Sequence, residues 1–180
     1  MSKKVLIINT SLRSRSNSEM LADAFAKGAR EAGNTVEIVS LKDKSIAFCK
    51  GCLACQKTGK CVIPDDALVI TEQMKNADVI VWATPIYYYE MSGQMKTMID
   101  RANSLYPSDY AFRDIYLLTT AAEAEDGVDE GAIHGLQGWI ACYEKAQLKG
   151  TVFAGGVDEA GAIDGHPALQ RAYETGKSIH

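Results

Sequence analysis

The sequence predicts a doubly wound α/β fold, in which a five-stranded parallel sheet in the order 2-1-3-4-5 carries helices on both faces. Short apolar runs alternate with segments of helical spacing along all 180 residues, a pattern typical of parallel sheets. The second apolar run alternates with polar residues, as expected of an edge strand, whereas the first and third are continuously apolar, as expected of central strands. No repeat or linker divides the chain, so we expect one domain over residues 1–180.

The predicted elements place the loops where a ligand would bind. The strands are Val5–Thr10, Thr35–Leu41, Ala77–Ala83, Asp114–Thr120 and Gly150–Gly155. The helices are Met20–Ala32, Asp65–Asn76, Gly93–Ser104, Gly131–Gln147 and Pro167–Ser178. Five strands fit the flavodoxin-like order, in which ligands bind beyond the carboxyl ends of the strands, where the order reverses. We therefore expect a site in the loops after the first, third and fourth strands.

Composition excludes several classes of function. The net charge is −4, with 19 basic residues and no basic run, which argues against a nucleic-acid partner. The longest apolar run is about seven residues, against the roughly 20 that cross a membrane. The first residues lack the apolar core and cleavage site of a signal peptide, so we expect a cytoplasmic protein without a membrane partner.

The loop after the first strand is rich in groups that bind anions. It joins a buried strand to a helix start, where unpaired N–H groups and the helix dipole favour negative charge. Ser16 and Glu19 have the spacing of a capping box. Neither the Gly-rich dinucleotide fingerprint nor the Gly-Lys-Ser/Thr phosphate loop is present. The donors that could hold a phosphate are Ser11, Arg13, Ser16, Asn17 and Ser18; the alternative is a plain helix cap with solvated arginines.

The loop after the third strand carries three adjacent tyrosines, Tyr87 to Tyr89, behind Pro85. Three neighbouring rings cannot all enter a core, so at least one should line a cleft, where a flat aromatic ligand could stack on it. The alternative is a subunit interface, in which tyrosine is enriched.

Together the two loops resemble those of the NADPH-dependent FMN reductase family. The matching motifs are Ser-Leu-Arg-Ser-Arg-Ser-Asn-Ser after the first strand and Thr-Pro-Ile-Tyr-Tyr-Tyr…Gly-Gln-Met-Lys…Asp-Arg after the third. The resemblance covers residues 1 to about 156 and implies that the first loop binds the FMN phosphate. It also implies that Pro85, Ile86 and Tyr87, Tyr88 and Tyr89 lie against the flavin, and that the loop containing Thr120 and Ala121 borders the ring on its other side.

The resemblance also implies the chemistry. A nicotinamide from NAD(P)H would pass a hydride to the flavin, and a small-molecule acceptor or a redox protein would take the electrons. No catalytic side chain is required, and we expect His134, His166 and His180 to be superficial or structural. The resemblance to this family, together with the tyrosine-rich loop, implies a homodimer or homotetramer.

Four of the five cysteines cluster in a predicted insertion at about residues 43–64, which we call the cysteine segment. Cys49, Cys52, Cys55 and Cys61 follow a Cys-x2-Cys-x2-Cys-x5-Cys spacing, and four thiolates can hold a 4Fe–4S cluster. The spacing resembles that of iron–sulfur flavoproteins. Free or redox-paired thiols and a zinc ion are the alternatives. Cys142 stands apart, and we expect it to be buried in a helix and inert.

The sequence is compatible with three functions. The first is an FMN-dependent NAD(P)H oxidoreductase that reduces a flavin, quinone or similar acceptor. The second is an iron–sulfur flavoprotein that carries electrons between FMN and a 4Fe–4S cluster. The third is a binding module that keeps the fold without turnover.

Overall fold

The predicted strand order is confirmed in the computed structural model, which describes residues 2–180. The strands are β1 (Lys4–Asn9), β2 (Thr35–Ser40), β3 (Val79–Tyr87), β4 (Glu90–Met91), β5 (Asp114–Thr120) and β6 (Gln147–Ala154). The five long strands are parallel and lie in the order β2-β1-β3-β5-β6. The two-residue β4 pairs antiparallel with the end of β3.

Helices cover both faces of the sheet. They are α1 (Asn17–Glu31), α2 (Ala54–Thr58), α3 (Ala67–Asn76), α4 (Gly93–Arg101), α5 (Glu130–Ile140) and α6 (Pro167–Lys177), with a 3-10 turn at Ala102–Leu105. One buried cluster joins the sheet to α1 and α6, and a second joins it to α3, α4 and α5. None of the helices described has the length and apolar character needed to cross a membrane.

Side-chain alternation along β1 creates the two cores. Val5 and Ile7 face the α1 and α6 side, whereas Leu6 and Ile8 face the α3 to α5 side, because successive side chains of a strand point to opposite faces. A run that is apolar at every position is therefore buried on both faces. Strand β2, which pairs only with β1, is half-exposed as predicted for an edge.

The predicted helix Gly131–Gln147 is too long. Helix α5 ends at Ile140, and β6 begins at Gln147 instead of Gly150. Tyr143 is buried against Tyr110 and Trp139, and this aromatic packing turns the chain before the helix can continue. Cys142 consequently lies in an exposed turn, so the expectation of a buried helical thiol is wrong.

The predicted third strand is too short. Strand β3 continues past Ala83 to Tyr87, and residues expected to form a loop instead make the β3–β4 hairpin, with Ile86 opposite Met91. An antiparallel partner satisfies the backbone groups of this extension. The cysteine segment likewise contains the short helix α2, which the sequence analysis did not predict.

Candidate functional site

The loop between β1 and α1 presents the start of a helix to the carboxyl edge of the sheet. Ser16 is the N-cap of α1, and its Oγ accepts a hydrogen bond of 3.1 Å from the Glu19 N–H. The backbone N–H groups of Asn17 and Ser18 have no acceptor within the helix, as in any first turn. Ser11, Ser16 and Ser18 are buried here. Hydroxyl and amide donors therefore converge at the positive end of the α1 dipole.

Two residues of this loop also bind the loop that follows β6. Asn17 Nδ2 donates to the carbonyls of Val157 at 3.1 Å and Glu159 at 2.9 Å, and Arg13 Nη1 donates to Asp158 at 2.9 Å. Both Nδ2 hydrogens of Asn17 are thereby used, which differs from the predicted role of its side chain as a ligand donor. Its backbone N–H keeps that role, while its side chain fixes the neighbouring loop.

The tyrosines form the tip of the β3–β4 hairpin. Tyr88 and Tyr89 both have positive φ, 51° and 65°, which is the geometry of a type I′ turn normally made by Asn-Gly. Tyr88 is 98% exposed. A bulky residue in this region costs roughly 1–2 kcal/mol, and such strain is concentrated at functional sites and interfaces.

Helix α5 supports this hairpin at a glycine. A Cβ at Gly131 would collide with the Tyr89 carbonyl oxygen and approach the Glu90 carboxylate to 3.0 Å. The hairpin therefore sits directly on the α5 backbone, and only glycine permits that approach.

Buried hydroxyls connect the first loop to the hairpin. Thr10 Oγ1 lies 2.9 Å from Ser92 Oγ, and the Ser92 N–H donates to Thr84 Oγ1 at 3.1 Å. Ser92 in turn caps α4 by accepting from the Met95 N–H. Since buried hydroxyls without partners are costly, this network fixes the relative position of the two loops.

The loops after β5 and β6 are tied to each other. The Gly156 N–H donates to the Glu123 carbonyl at 3.0 Å, and the Val157 N–H donates to the Ala121 carbonyl at 2.9 Å. A Cβ at Gly155 would come within 2.7 Å of the Glu123 oxygen, so this contact requires a glycine. Thr119 Oγ1 donates to the buried Asp129 carboxylate at 2.6 Å, which holds the end of β5.

These loops enclose a cavity of about 280 Å³ beyond the carboxyl ends of the strands. All but one of the residues predicted to bind FMN line it: Ser11, Arg13, Ser16, Asn17, Ser18, Pro85, Ile86, Tyr87, Tyr88, Thr120 and Ala121. Tyr89 is the exception, because its backbone lies against α5. One end of the cavity offers hydroxyl, amide and guanidinium donors, and the other offers aromatic and apolar walls. This set of groups fits a flat aromatic molecule that carries a phosphate.

The sequence analysis missed one wall of the cavity. Val157, Asp158 and Ala160 line it from the loop after β6. The sequence does contain a signal for this wall: the last strand ends at the same edge of the sheet and is followed by Gly155 and Gly156.

The four clustered cysteines line a second, smaller cavity, which they share with Arg101 and Asn103. Cys55 is buried, Cys61 is half-buried, and Cys49 and Cys52 are exposed. The segment turns tightly at Gly51 and Leu53, which have φ of 63° and 55°. Across residues 2–180, no three His, Cys, Asp or Glu side chains converge closely enough to hold a metal ion.

A zinc ion and an iron–sulfur cluster require different separations of the four sulfurs. Four thiolates around one zinc ion would lie roughly 3.8 Å apart, given tetrahedral bonds of about 2.3 Å. In a 4Fe–4S cluster each thiolate binds a different iron atom, so the sulfurs surround the group from farther away. The four cysteines line one cavity and supply the number of thiolates that a 4Fe–4S cluster requires.

An ion pair anchors the cysteine segment. Arg101, which is 2% exposed, donates to both carboxylate oxygens of Asp65 at 2.5 and 2.8 Å. Burial acts to raise the pKa of Asp65, but the bonds from Arg101 and from the N–H groups of Ala47 and Ala67 hold it below its usual value. Breaking such a pair would leave a buried charge without a partner.

The remaining predicted features lie outside both cavities. His166 caps α6, where its Nδ1 accepts from the Ala168 N–H at 3.1 Å, while His134 and His180 are exposed. A larger cavity, of about 600 Å³, lies at the amino ends of β1 and β2, far from the carboxyl-edge loops, and reaches Cys61 along one side.

Comparison with known proteins agrees with this geometry. Residues 3–148 match the profile of the NADPH-dependent FMN reductase family. An iron–sulfur flavoprotein of Archaeoglobus fulgidus is 39% identical over 111 residues, which are 62% of this chain and 54% of that protein. An iron–sulfur flavoprotein of Methanosarcina thermophila is 28% identical over 98% of this chain and 93% of its own length.

A solved structure shares the fold. The NAD(P)H:quinone oxidoreductase of Methanothermobacter marburgensis superposes with a TM-score of 0.77 at 19% identity, covering 100% of this chain and 98% of that one. This likeness concerns the flavodoxin-like architecture. The family match spans most of the sequence and includes both predicted loops, and the chain therefore belongs to the NADPH-dependent FMN reductase family.

Proposed function

We propose that the protein is an FMN-dependent NAD(P)H oxidoreductase that reduces a flavin, quinone or similar small acceptor. The observation that carries the proposal is the cavity at the carboxyl edge, where phosphate-binding groups and aromatic walls meet in one space of about 280 Å³. The family match supports the same cofactor.

The α1 end of the cavity holds the phosphate. The N–H groups of the first turn, the hydroxyls of Ser11, Ser16 and Ser18, and the Arg13 guanidinium supply neutral and charge-assisted donors. The Thr10–Ser92 network and the Asn17 contacts already fix these loops. Binding of FMN therefore costs little additional conformational entropy.

The opposite end positions the flat ring. Pro85, Ile86 and Tyr87 form one wall, and Thr120 and Ala121 form part of the other. When bound, FMN supplies the hydride-accepting chemistry between NAD(P)H and the electron acceptor. The protein contributes orientation and fixed dipoles, so no acidic or basic side chain needs to act as a catalyst. The exposed Tyr88 ring borders the cavity and is available to a nicotinamide or to a second subunit.

The same features bear on partners and compartment. The exposed rings of Tyr88 and Tyr89 support a homodimer or homotetramer, since exposed aromatic groups of this kind are enriched at interfaces. Free thiols at all five cysteines of the described chain suit a reducing cytoplasm. The electron acceptor is a small molecule or a redox protein.

The phosphate assignment is tested by comparing FMN with riboflavin. Arg13→Gln should weaken FMN binding about tenfold, because a charge-assisted hydrogen bond contributes roughly 1.5–3 kcal/mol. Riboflavin, which lacks the phosphate, should bind equally well to both proteins. Arg15→Gln is the matched control, because Arg15 lies in the same loop but does not line this cavity. Equal losses for FMN and riboflavin would contradict the assignment.

A second candidate function has support of its own, namely an iron–sulfur flavoprotein that holds FMN and a 4Fe–4S cluster. Cys49, Cys52, Cys55 and Cys61 line one cavity, and the relatives from A. fulgidus and M. thermophila carry that name. A cluster at these thiols would add one-electron transfer to the two-electron chemistry of the flavin.

Iron and acid-labile sulfide in protein purified without oxygen test the second candidate. Each of the four Cys→Ser variants should lose the iron, because three ligands leave a labile position, and Cys142→Ser should keep it. Zinc in place of iron supports a structural metal site, and neither metal supports free thiols. Bleaching of the flavin absorbance by NADPH then distinguishes a reductase from a carrier that takes electrons from a protein donor.

A further inference from the structure

Arg101 holds both ends of the cysteine segment. Its Nη1 donates to the Ala47 carbonyl at 2.7 Å, and its Nη2 donates to the Ile63 carbonyl at 3.2 Å. Both nitrogens also bind the Asp65 carboxylate. Ala47 precedes the first clustered cysteine and Ile63 follows the last, so a single guanidinium closes the loop that carries all four.

One donor of this guanidinium remains unused. Within the described chain, Arg101 Nε is fully buried and has no hydrogen-bond partner, although Arg101 lines the cavity that the cysteines share. A buried N–H without a partner costs roughly 1–3 kcal/mol. Cys61, the half-buried member of the cysteine set, lines that same cavity with Arg101.

A second donor reaches the same cavity. Asn103, in the 3-10 turn directly after α4, donates from Nδ2 to Cys55 Sγ at 3.4 Å, a normal length for a bond to sulfur. Cys55 and Cys61 are the less exposed members of the set, whereas Cys49 and Cys52 face solvent. The turn after α4 therefore donates an N–H group to Cys55, and Arg101, at the end of α4, lines the same cavity and has one buried N–H without a partner.

A purely structural role does not account for this arrangement. The contacts with Asp65, Ala47 and Ile63 use only the two terminal nitrogens of Arg101. Because Asp65 neutralises the guanidinium, the Arg101–Asp65 pair adds no net charge at the cavity. What it adds is an oriented N–H.

We propose that, once the thiolates hold a cluster, Arg101 Nε donates a hydrogen bond to Cys61 and Asn103 Nδ2 donates one to Cys55, and that these bonds raise the reduction potential of the cluster. The inference rests on the proposed iron–sulfur function. Reduction adds negative charge to the cluster and its thiolates, and N–H donors stabilise the more negative state, so hydrogen bonds to the sulfurs make reduction easier. Arg101 and Asn103 are positioning residues that act through the ligands.

Asn103→Leu tests the proposal with little change in shape. We expect iron and sulfide content equal to that of the parent protein. The reduction potential of the cluster should fall by about 59 mV, which corresponds to a tenfold change in the equilibrium of a one-electron reduction. The potential is measured by redox titration of the anaerobic protein, followed by electron paramagnetic resonance. Thr97→Val is the control, because Thr97 is half-buried on the same helix, its hydroxyl donates to the Gly93 carbonyl, and it does not line the cysteine cavity.

The possible outcomes distinguish failure of the hydrogen-bond proposal from failure of the proposed iron–sulfur function. Iron present with an unchanged potential in Asn103→Leu overturns the hydrogen-bond proposal and leaves the iron–sulfur function intact. No iron in the parent protein overturns both. A lowered potential with full iron, absent in the Thr97 control, supports the proposal.

The Arg101 contact needs a test that does not remove the anchor of the segment. Protein grown with ¹⁵N-arginine keeps its native sequence, and pulsed electron paramagnetic resonance of the reduced cluster should then show a ¹⁵N coupling carried through the N–H···S bond. Arg101 is the arginine that lines the cysteine cavity in the described residues. A reduced cluster without any arginine coupling would contradict the assignment of Nε.

Discussion

The carboxyl-edge cavity and the cysteine segment are stabilised in different ways. The cavity is made by loops that follow β1, β3, β5 and β6 and are joined by several independent bonds, among them Thr10–Ser92, Asn17–Val157 and Ala121–Val157. The cysteine segment leaves an edge strand, turns at left-handed residues, and is anchored mainly by Asp65 and Arg101. The cavity is held by bonds among several loops, whereas the buried ion pair of the cysteine segment is supplemented by an exposed bond from the Ser45 N–H to Asp66 and by the bond from Asn103 to Cys55.

The contrast matches the group that we propose for each site. A flavin bound only by hydrogen bonds and packing needs a cavity that is already formed. A cluster held by covalent thiolate bonds can organise its own loop, because metal binding contributes to folding. The structure therefore predicts large single-residue effects in the segment and smaller, distributed effects around the cavity.

The largest effect should come from Asp65→Asn. Removing the carboxylate leaves Arg101 buried without a counter-ion, and breaking a buried pair costs about 3–5 kcal/mol. We expect a loss of that size in the free energy of unfolding, measured with urea.

Asp109→Asn is the matched control, because Asp109 is 96% exposed and lies 3.9 Å from Lys145; such pairs contribute less than about 1 kcal/mol. The pH dependence adds a second check. Since the folded-state pKa of Asp65 is lowered, its contribution is complete above the unfolded pKa of about 4 and is lost as the pH falls through the lower value. The difference between the parent and Asp65→Asn should shrink in acid. Equal costs for Asp65→Asn and Asp109→Asn would show that the segment has other anchors.

The sequence predicted the location of the cavity because the rule behind it depends only on strand order. Apolar runs place β1 and β3 at the centre, and the reversal of order between them places the ligand loops. The prediction named only the loops after the first, third and fourth predicted strands. It therefore omitted the wall formed by the loop after β6, in which Val157 lines the cavity.

Long-range contacts were not predictable from local patterns. Arg101 and Asp65 are 36 residues apart, and no periodicity marks them as partners. The end of α5 at Ile140 is set by Tyr143 packing on Tyr110, again a tertiary contact. The cysteine spacing was visible in the sequence, but the donors that face it were not.

A second prediction tests the contact between hairpin and helix. Gly131→Ala places a methyl group against the Tyr89 carbonyl, so the hairpin must move, at a cost of roughly 1–3 kcal/mol for overpacking. FMN affinity should fall as well, because Tyr87 and Tyr88 line the cavity. Gly138→Ala, on the same helix with open space at its Cβ position, should instead stabilise the protein by up to about 1 kcal/mol. Similar behaviour of the two variants would mean that the hairpin is not held by α5.

The smallest effect should appear at the hairpin tip, where stability and function are opposed. Tyr88 has a φ of 51° and an almost fully exposed ring, so its side chain costs backbone strain and gains little packing within this chain. Asparagine tolerates that conformation, and Tyr88→Asn should raise the free energy of unfolding by about 1 kcal/mol. If the ring contacts a nicotinamide or a second subunit, the same change should lower turnover with NAD(P)H or weaken self-association. For the stability measurement alone, Tyr87→Asn is the control, because Tyr87 lies in β3, where asparagine brings no relief of strain. A Tyr88→Asn protein that is more stable and fully active would show that the tip contributes nothing beyond the turn, and the exposed ring would lose its place in the proposed function.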